Sequence, residues 1–285
     1  MSTSSNSSVN VWYITGCSTG LGKALVQTLL NNGQKVAATS RDKKALNDIF
    51  GPDSESFLAL QVDLLDESSI QSSVRQTTAR FGTIDIVLNN PGYGLSGVIE
   101  ELSINDIKDN FAVNFYAPLA VIRAITPILR AKRSGYIINV TSIMANFGLP
   151  AYGAYSASKA ALEVATESLA EEMKPFGIKV LTVNPGGFNT DIYSGSKFRV
   201  AAQSIDDYQP FHKEQATKSL ADFTKGDPAK LANIVFKLVV DNTALPLHIY
   251  IGEDSNFLAK LKAESWLKDL ATWNPITSTT NRDDL

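Results

Sequence analysis

The chain is poor in the residues that mark several kinds of chemistry. It has one cysteine, Cys17, so no disulfide can close within it, which fits a reducing compartment and a cytoplasmic protein. It has two histidines, His212 and His248, far apart and without metal-ligand spacing, so no metal site is expected. Basic charge is not in excess: 26 Lys and Arg stand against 29 Asp and Glu, a net charge of −3. That leaves no global positive field for nucleic acid or a membrane surface, and neither is expected as a partner. No uninterrupted apolar run reaches transmembrane length. The opening MSTSSNSS lacks the basic and apolar regions of a signal peptide and reads as a disordered tail over residues 1–8. What is present, 44% hydrophobic and 19% charged residues in a chain of 285, suits a globular protein with a large core.

Strand and helix patterns alternate along the chain. Short apolar runs rich in Val and Ile predict strands at residues 9–15, 35–40, 57–62, 85–89, 136–141, 179–184 and 247–251. Helical patterns fill the gaps, with end signals at Asn32-Gly33, Asp66, Pro175 and Gly177. Alternation of this kind predicts an α/β fold: one Rossmann-type, doubly wound domain over residues 9–252, with a parallel sheet of about seven strands and helices on both faces. Ligands then bind beyond the carboxyl ends of the strands. Residues 253–285 read as a helical extension, with a helix near 256–270 and a frayed polar end. Its Phe257, Leu258, Leu261, Trp266, Leu267 and Leu270 could pack on the same chain or on a partner.

Two motifs carry chemistry. The first strand runs into Thr15-Gly16-Cys17-Ser18-Thr19-Gly20-Leu21-Gly22, and an apolar pattern of helical period follows. Strand, glycine-rich turn and helix form the setting of a dinucleotide-binding loop. Glycines let backbone N–H groups approach a pyrophosphate, and the helix N-terminus adds favourable partial charge. Cys17 lies inside this loop, where a small residue is needed. The second motif is Tyr155 and Lys159, at i and i+4 on one helical face. A cation beside a phenol favours the phenolate and lowers its pKa, which would let Tyr155 exchange protons near neutral pH.

Together with Asn89-Asn90-Pro91-Gly92, Asn114, Ser142 and Pro185-Gly186, these motifs resemble the short-chain dehydrogenase/reductase family, in its order and spacing. The resemblance implies a nicotinamide cofactor and hydride transfer to or from a carbonyl or alcohol carbon. It implies Tyr155 as general acid and base, Lys159 as its pKa-lowering partner and ribose ligand, and Ser142 as holder of the substrate oxygen. Asn114 would support the proton relay. Thr141 competes with Ser142 for its role, but the interval to Tyr155 favours Ser142. The cofactor would lie on Gly16, Ser18, Thr19, Gly20, Leu21 and Gly22, with Asp63 and Leu64 at the adenine and Asn89, Pro91 and Gly92 near its ribose. Pro185, Gly186, Phe188 and Thr190 would fix the nicotinamide end. The family usually has alanine at Pro91, and proline removes an N–H there. A homodimer or homotetramer is also implied.

Cofactor choice follows from charge. Enzymes that use NAD place an acid at the end of the second strand for the ribose 2′-hydroxyl. This chain has Ser40 there, followed by Arg41, and both can bind a 2′-phosphate. NADP(H) is therefore expected. Residues 191–224 are polar with scattered aromatics, Tyr193, Phe198, Tyr208, Phe211 and Phe223, and suit a lid over an apolar substrate. Tyr93 to Leu95 and residues 145–152 would shape the same pocket, for a ketone, a steroid-like or a retinoid-like compound. A catalytically idle NADP-binding regulatory protein, and an epimerase or dehydratase on the same scaffold, are the alternatives.

Overall fold

The computed structural model describes residues 9–190, 197–216, 224–241 and 244–280. The expected tail over 1–8, Tyr193 and Phe223 of the expected lid, and residues 281–285 of the extension lie outside the described residues.

Seven strands form one parallel sheet: β1 (Val11–Ile14), β2 (Lys35–Ser40), β3 (Phe57–Gln61), β4 (Ile86–Asn89), β6 (Gly135–Val140), β7 (Ile178–Pro185) and β9 (His248–Ile251). Their order is β3-β2-β1-β4-β6-β7-β9, so the winding reverses between β1 and β4. A crevice opens at such a reversal, beyond the carboxyl ends of the strands. The central strands read as unbroken apolar runs because both faces are covered. Val11 to Ile14 are all buried, with alternate side chains facing opposite layers.

On one face α1 (Gly20–Asn31), α2 (Lys43–Phe50) and α8 (Pro228–Val240) pack through Leu25, Leu29, Leu46, Leu231 and Val235 against Trp12, Ile14 and Leu88. On the other, α3 (Glu67–Phe81), α5 (Ala117–Lys132) and α6 (Gly153–Met173) pack through Ile70, Val74, Val121, Ile125 and Met173 against Tyr13, Val87 and Ile137. Each fully buried Leu or Ile contributes roughly 1.5–3 kcal/mol.

The helix α4 (Ile104–Phe111) starts at a capping box made by Ser103 and Asp106. It passes through a π-turn, Ala112–Tyr116, into α5. The run Ile104–Lys132 is thus a 29-residue helix that is long and apolar enough, by length and composition, to cross a bilayer. This corrects the expectation that no apolar run reaches transmembrane length. Here Val121, Ile125 and Leu129 of that helix lie against the sheet.

Two features depart from the sequence reading. A small second sheet pairs β5 (Gly94–Ser96) in parallel with β8 (Phe198–Val200), which lies in the segment expected to be a lid. The same segment holds the short helix α7 (Gln209–Ala216). The C-terminal helix α9 runs Glu253–Thr277, about two turns past the expected end, with only Ser255 buried. Phe257, Trp266, Leu267 and Leu270 are exposed, so they do not pack on their own chain.

Candidate functional site

The site lies where the sheet reverses. The turn after β1 carries Gly16 at φ +71° and Gly20 at φ +55°, backbone that L side chains rarely adopt. Gly22 has no room for a side chain: a Cβ there would stand 2.2 Å from the Gly16 carbonyl oxygen. The N-cap of α1, Thr19, makes no side-chain capping bond, and no acid sits in the first turn. The first N–H groups of α1 are therefore left to a ligand, and the helix end favours an anion. Cys17 is buried, donates to the Ile14 carbonyl at 3.1 Å, and burial pushes its thiol up to about 12. It is a small core residue, as expected.

An open cleft runs from this turn in two directions. The inner part, about 710 Å³, is lined by Gly16, Thr19, Gly20 and Leu21, by Ser142, Tyr155 and Lys159, and by Pro185, Gly186, Phe188 and Thr190. The outer part, about 1860 Å³, is lined by Ser18, Ser40, Arg41, Asp63 and Leu64. Gly16, Thr19, Pro91, Gly92 and Lys197 border both. Residues expected to share one ligand are thus brought to one continuous groove.

In the inner part, Tyr155 and Lys159 rise from α6, 6% and 3% exposed. Lys159 Nζ donates to the Val140 carbonyl at 3.1 Å. Burial pushes its pKa down to about 8, and the nearby Glu163 charge opposes this. Ser142, at the end of β6, accepts from the Met144 N–H at 3.1 Å and retains a proton to donate. The Thr141 hydroxyl is turned instead to the Asn184 side chain and the Val183 carbonyl. That separates the two neighbours.

Asn114 sits in the π-turn, fully buried. Its Oδ1 accepts from the Tyr93 N–H at 3.1 Å, and its Nδ2 reaches Tyr93 O at 3.3 Å, Asn110 Oδ1 at 3.2 Å and Ser158 Oγ at 3.0 Å. A Cβ on Gly92 would lie 3.2 Å from both Asn114 Oδ1 and Lys159 Nζ. Only a glycine lets these groups converge without displacing one of them.

The Asn89 side chain does not face the cleft. It is fully buried and donates to Asn139 Oδ1 at 2.9 Å, so it props the strands apart from the cleft. Asn90 lines the cleft instead, its N–H on Thr15 Oγ1 at 3.0 Å and its amide on Gly16 O at 3.2 Å. The alternation of a strand end decided which of two adjacent asparagines faces out. Gly22 lines neither part of the cleft; its place is the close packing of turn and helix.

At the outer end, Asp42 is the N-cap of α2, accepting from the Ala45 N–H at 3.2 Å. Ser40 Oγ accepts from the Asp42 N–H at 3.2 Å. Asp63 accepts from the Leu65 N–H at 2.9 Å. Sequence reasoning missed Lys197 and Arg199 at the cleft. Arg199 stacks 4.7 Å over the Tyr93 ring and pairs with Asp109 at 3.2 Å. Phe198 lies 6.4 Å from the Tyr152 ring. Farther along, Glu101 accepts from the Ile205 N–H at 2.9 Å and pairs with His212 at 2.8 Å. The Tyr208 hydroxyl bonds Glu100 and Phe211 packs on His212, so neither aromatic lines the cleft.

Comparison with known proteins places the chain in a family. Residues 10–199 match the family described as short chain dehydrogenase. The chain is 34% identical over 265 residues to oxidoreductase BOA17 of Botryotinia fuckeliana, covering 89% of this chain and 93% of that one. It is 33% identical over 261 residues to a 3-ketodihydrosphingosine reductase of Bacteroides thetaiotaomicron, covering 90% and 92%. A short-chain dehydrogenase structure from Streptomyces avermitilis superposes with a TM-score of 0.86 at 30% identity, over 96% of this chain and all of that one.

Proposed function

Because the chain belongs to the short-chain dehydrogenase/reductase family, we propose that it is an NADP(H)-dependent carbonyl reductase, reversible as a secondary-alcohol dehydrogenase. The observation that carries this reading is the meeting of Ser142, Tyr155 and Lys159 in the cleft that also holds the uncapped α1 N-terminus.

The groove fits a dinucleotide by its own chemistry. Gly16, Gly20 and Gly22 give a backbone cradle, and Gly92 keeps the space beside Lys159 clear. The chemistry supplied from outside the chain is the hydride of a nicotinamide. Ser142 holds the substrate oxygen with its hydroxyl proton and stabilises charge developing there. Tyr155 gives that oxygen a proton in reduction and removes it in oxidation. Lys159, held by Val140, favours the phenolate left when the proton goes, and it bonds the nicotinamide ribose. Asn114 fixes the Tyr93 backbone beside this pair and supports the proton path. At the outer end, Ser40 and Arg41 take the 2′-phosphate, and Asp63 the adenine edge.

The substrate is an apolar ketone or aldehyde. Tyr93 borders the cleft and packs with Leu95 and Tyr155 in one apolar cluster, which supports an apolar substrate. A relative named as a reductase of 3-ketodihydrosphingosine supports a ketone. β8 pairs with β5 beside this cluster, and a homo-oligomer is the assembly we expect. The test is NADPH oxidation over a panel of ketones and aldehydes, in wild type and Tyr155→Phe. The variant should lose about a hundred- to ten-thousand-fold in rate while still binding NADPH. Retention of more than about a tenth of the rate on a good substrate would overturn the role of Tyr155.

A further inference from the structure

One turn beyond Lys159, on the same face of α6, lies a second buried charge. Glu163 is 3% exposed. Its Oε1 accepts from Asn184 Nδ2 at 2.8 Å and from the Thr182 hydroxyl at 3.2 Å. His248 Nδ1 lies 2.7 Å from the same oxygen. Its Oε2 is buried with no hydrogen-bond partner. Three polar groups thus converge on one carboxylate oxygen. A side chain that only filled space would not leave a buried carboxylate oxygen bare, because that costs free energy. Asn184 in turn bonds the Thr141 hydroxyl, next to Ser142, and its carbonyl accepts from Ser255 at 2.7 Å. A polar chain therefore links His248, at the partly open edge of β9, with the floor of the cleft.

We propose that Glu163 is a positioning residue: its buried carboxylate is the counter-charge that keeps Lys159 an ammonium, and His248 closes the arrangement on the solvent side. The inference rests on the reductase reading for its effect on rate. The bond to Val140 satisfies one ammonium proton but brings no negative charge. Glu163 supplies that charge from i+4, a spacing of roughly 5–6 Å between Cβ atoms. The titratable groups facing Glu163 are Lys159 and Glu167 on its own helix and His248 and Tyr250 on β9. From β7 come only neutral Thr182 and Asn184, and from α9 the neutral Ser255. Burial, and next the Glu163 charge, push the Tyr250 phenol up, so it stays neutral and does not compete for Lys159.

The experiment follows Lys159 in two ways. The pH profile of carbonyl reduction is measured for wild type, Glu163→Gln, Glu163→Asp and His248→Lys, with thermal midpoints alongside. In parallel, lysine labelled with ¹³C at Cε reports the titration of Lys159 by NMR, assigned with Lys159→Met, and needs no substrate. In Glu163→Gln the alkaline limb and the Lys159 titration should both move down by about one pH unit. Glu163→Asp should lie between that variant and wild type. His248→Lys, which sets a permanent cation against Glu163, should move both the same way. A purely structural Glu163 would lower the thermal midpoint and leave the titration where it was; that result overturns the proposal. If Glu163→Gln does not fold, an unmoved titration in His248→Lys overturns it equally. A wild type that reduces no carbonyl, but whose Lys159 titration moves with Glu163, would sink the reductase reading and support the pair.

Discussion

Lys159 donates to the Val140 carbonyl across 3.1 Å, which ties the middle of α6 to the last residue of β6. The side chain is thereby aimed at the cleft while it is almost wholly buried. Burial holds its pKa near 8, so the ammonium is present at neutral pH and is lost just above it. Two outcomes follow. Reduction by wild type should fall as pH rises through about 8. Lys159→Ala should lower both rate and cofactor affinity, and move the optimum for alcohol oxidation upward, because the phenolate loses its cation. An unchanged pH profile in a folded variant that still binds cofactor would count against the pairing.

The Gly22 prediction concerns sterics alone. A methyl group there would meet the Gly16 carbonyl oxygen at 2.2 Å, and both groups are backbone-bound. Turn and helix would have to separate. Gly22→Ala should cost about 1–3 kcal/mol of stability, the usual range for overpacking. It should also weaken NADPH and NADH alike, since the cradle and not the 2′-phosphate end is disturbed. Thermal unfolding and the two dissociation constants check this. Wild-type affinity for both cofactors would show that the turn has more room than the geometry allows.

Most of the large sheet can be read in the sequence because its strands are unbroken apolar runs between glycine-rich turns. Val11 to Ile14 and the glycines after it illustrate this, and so does the Tyr155 face of α6. The small sheet could not be read. Gly94-Leu95-Ser96 is three residues with no pattern, and its partner, Phe198-Arg199-Val200, lies far along the chain. Pairing at that separation depends on tertiary contact, such as Arg199 over Tyr93. The π-turn at Asn114 also leaves no sequence mark, although it sets which way that amide faces. Asn89 is the last residue of β4 and Asn90 lies just beyond it, so the two side chains face differently. α9 continues past Pro275 to Thr277, although Pro275 has no N–H to bond the Ala271 carbonyl.

Glu101 gives a test of the segment that carries α7. The Ile205 N–H and then His212 hold its carboxyl below the usual range. A carboxyl with a depressed folded-state pKa adds stability above its unfolded value. That contribution disappears as pH falls through the folded value. Wild type should therefore be more stable than Glu101→Gln at pH 6, and the gap should close as pH drops below about 4. Thermal midpoints across this range measure it. A gap that persists unchanged at low pH would mean that ionisation of Glu101 plays no part in holding Ile205 and His212.

Arg41 gives the test of the proposed NADP(H) preference. It lines the outer cleft with Ser40, while the nearest acid, Asp42, is occupied in capping α2. An acid engaged by the Ala45 N–H is not presented to a ribose hydroxyl, and a guanidinium beside it can take a phosphate. Arg41→Ala should remove a charge-assisted hydrogen bond of about 1.5–3 kcal/mol. That corresponds to roughly ten- to hundred-fold weaker NADPH binding. NADH lacks the phosphate, so its affinity should barely change. Ser40→Asp should go further, repelling the 2′-phosphate and offering a hydrogen-bond acceptor to the 2′-hydroxyl. The measurement is the ratio of NADPH to NADH dissociation constants in wild type and both variants. A wild type that already prefers NADH, or an Arg41→Ala that weakens both cofactors equally, would remove the basis for NADP(H), because the charge at this strand end would then be doing something other than reading the phosphate.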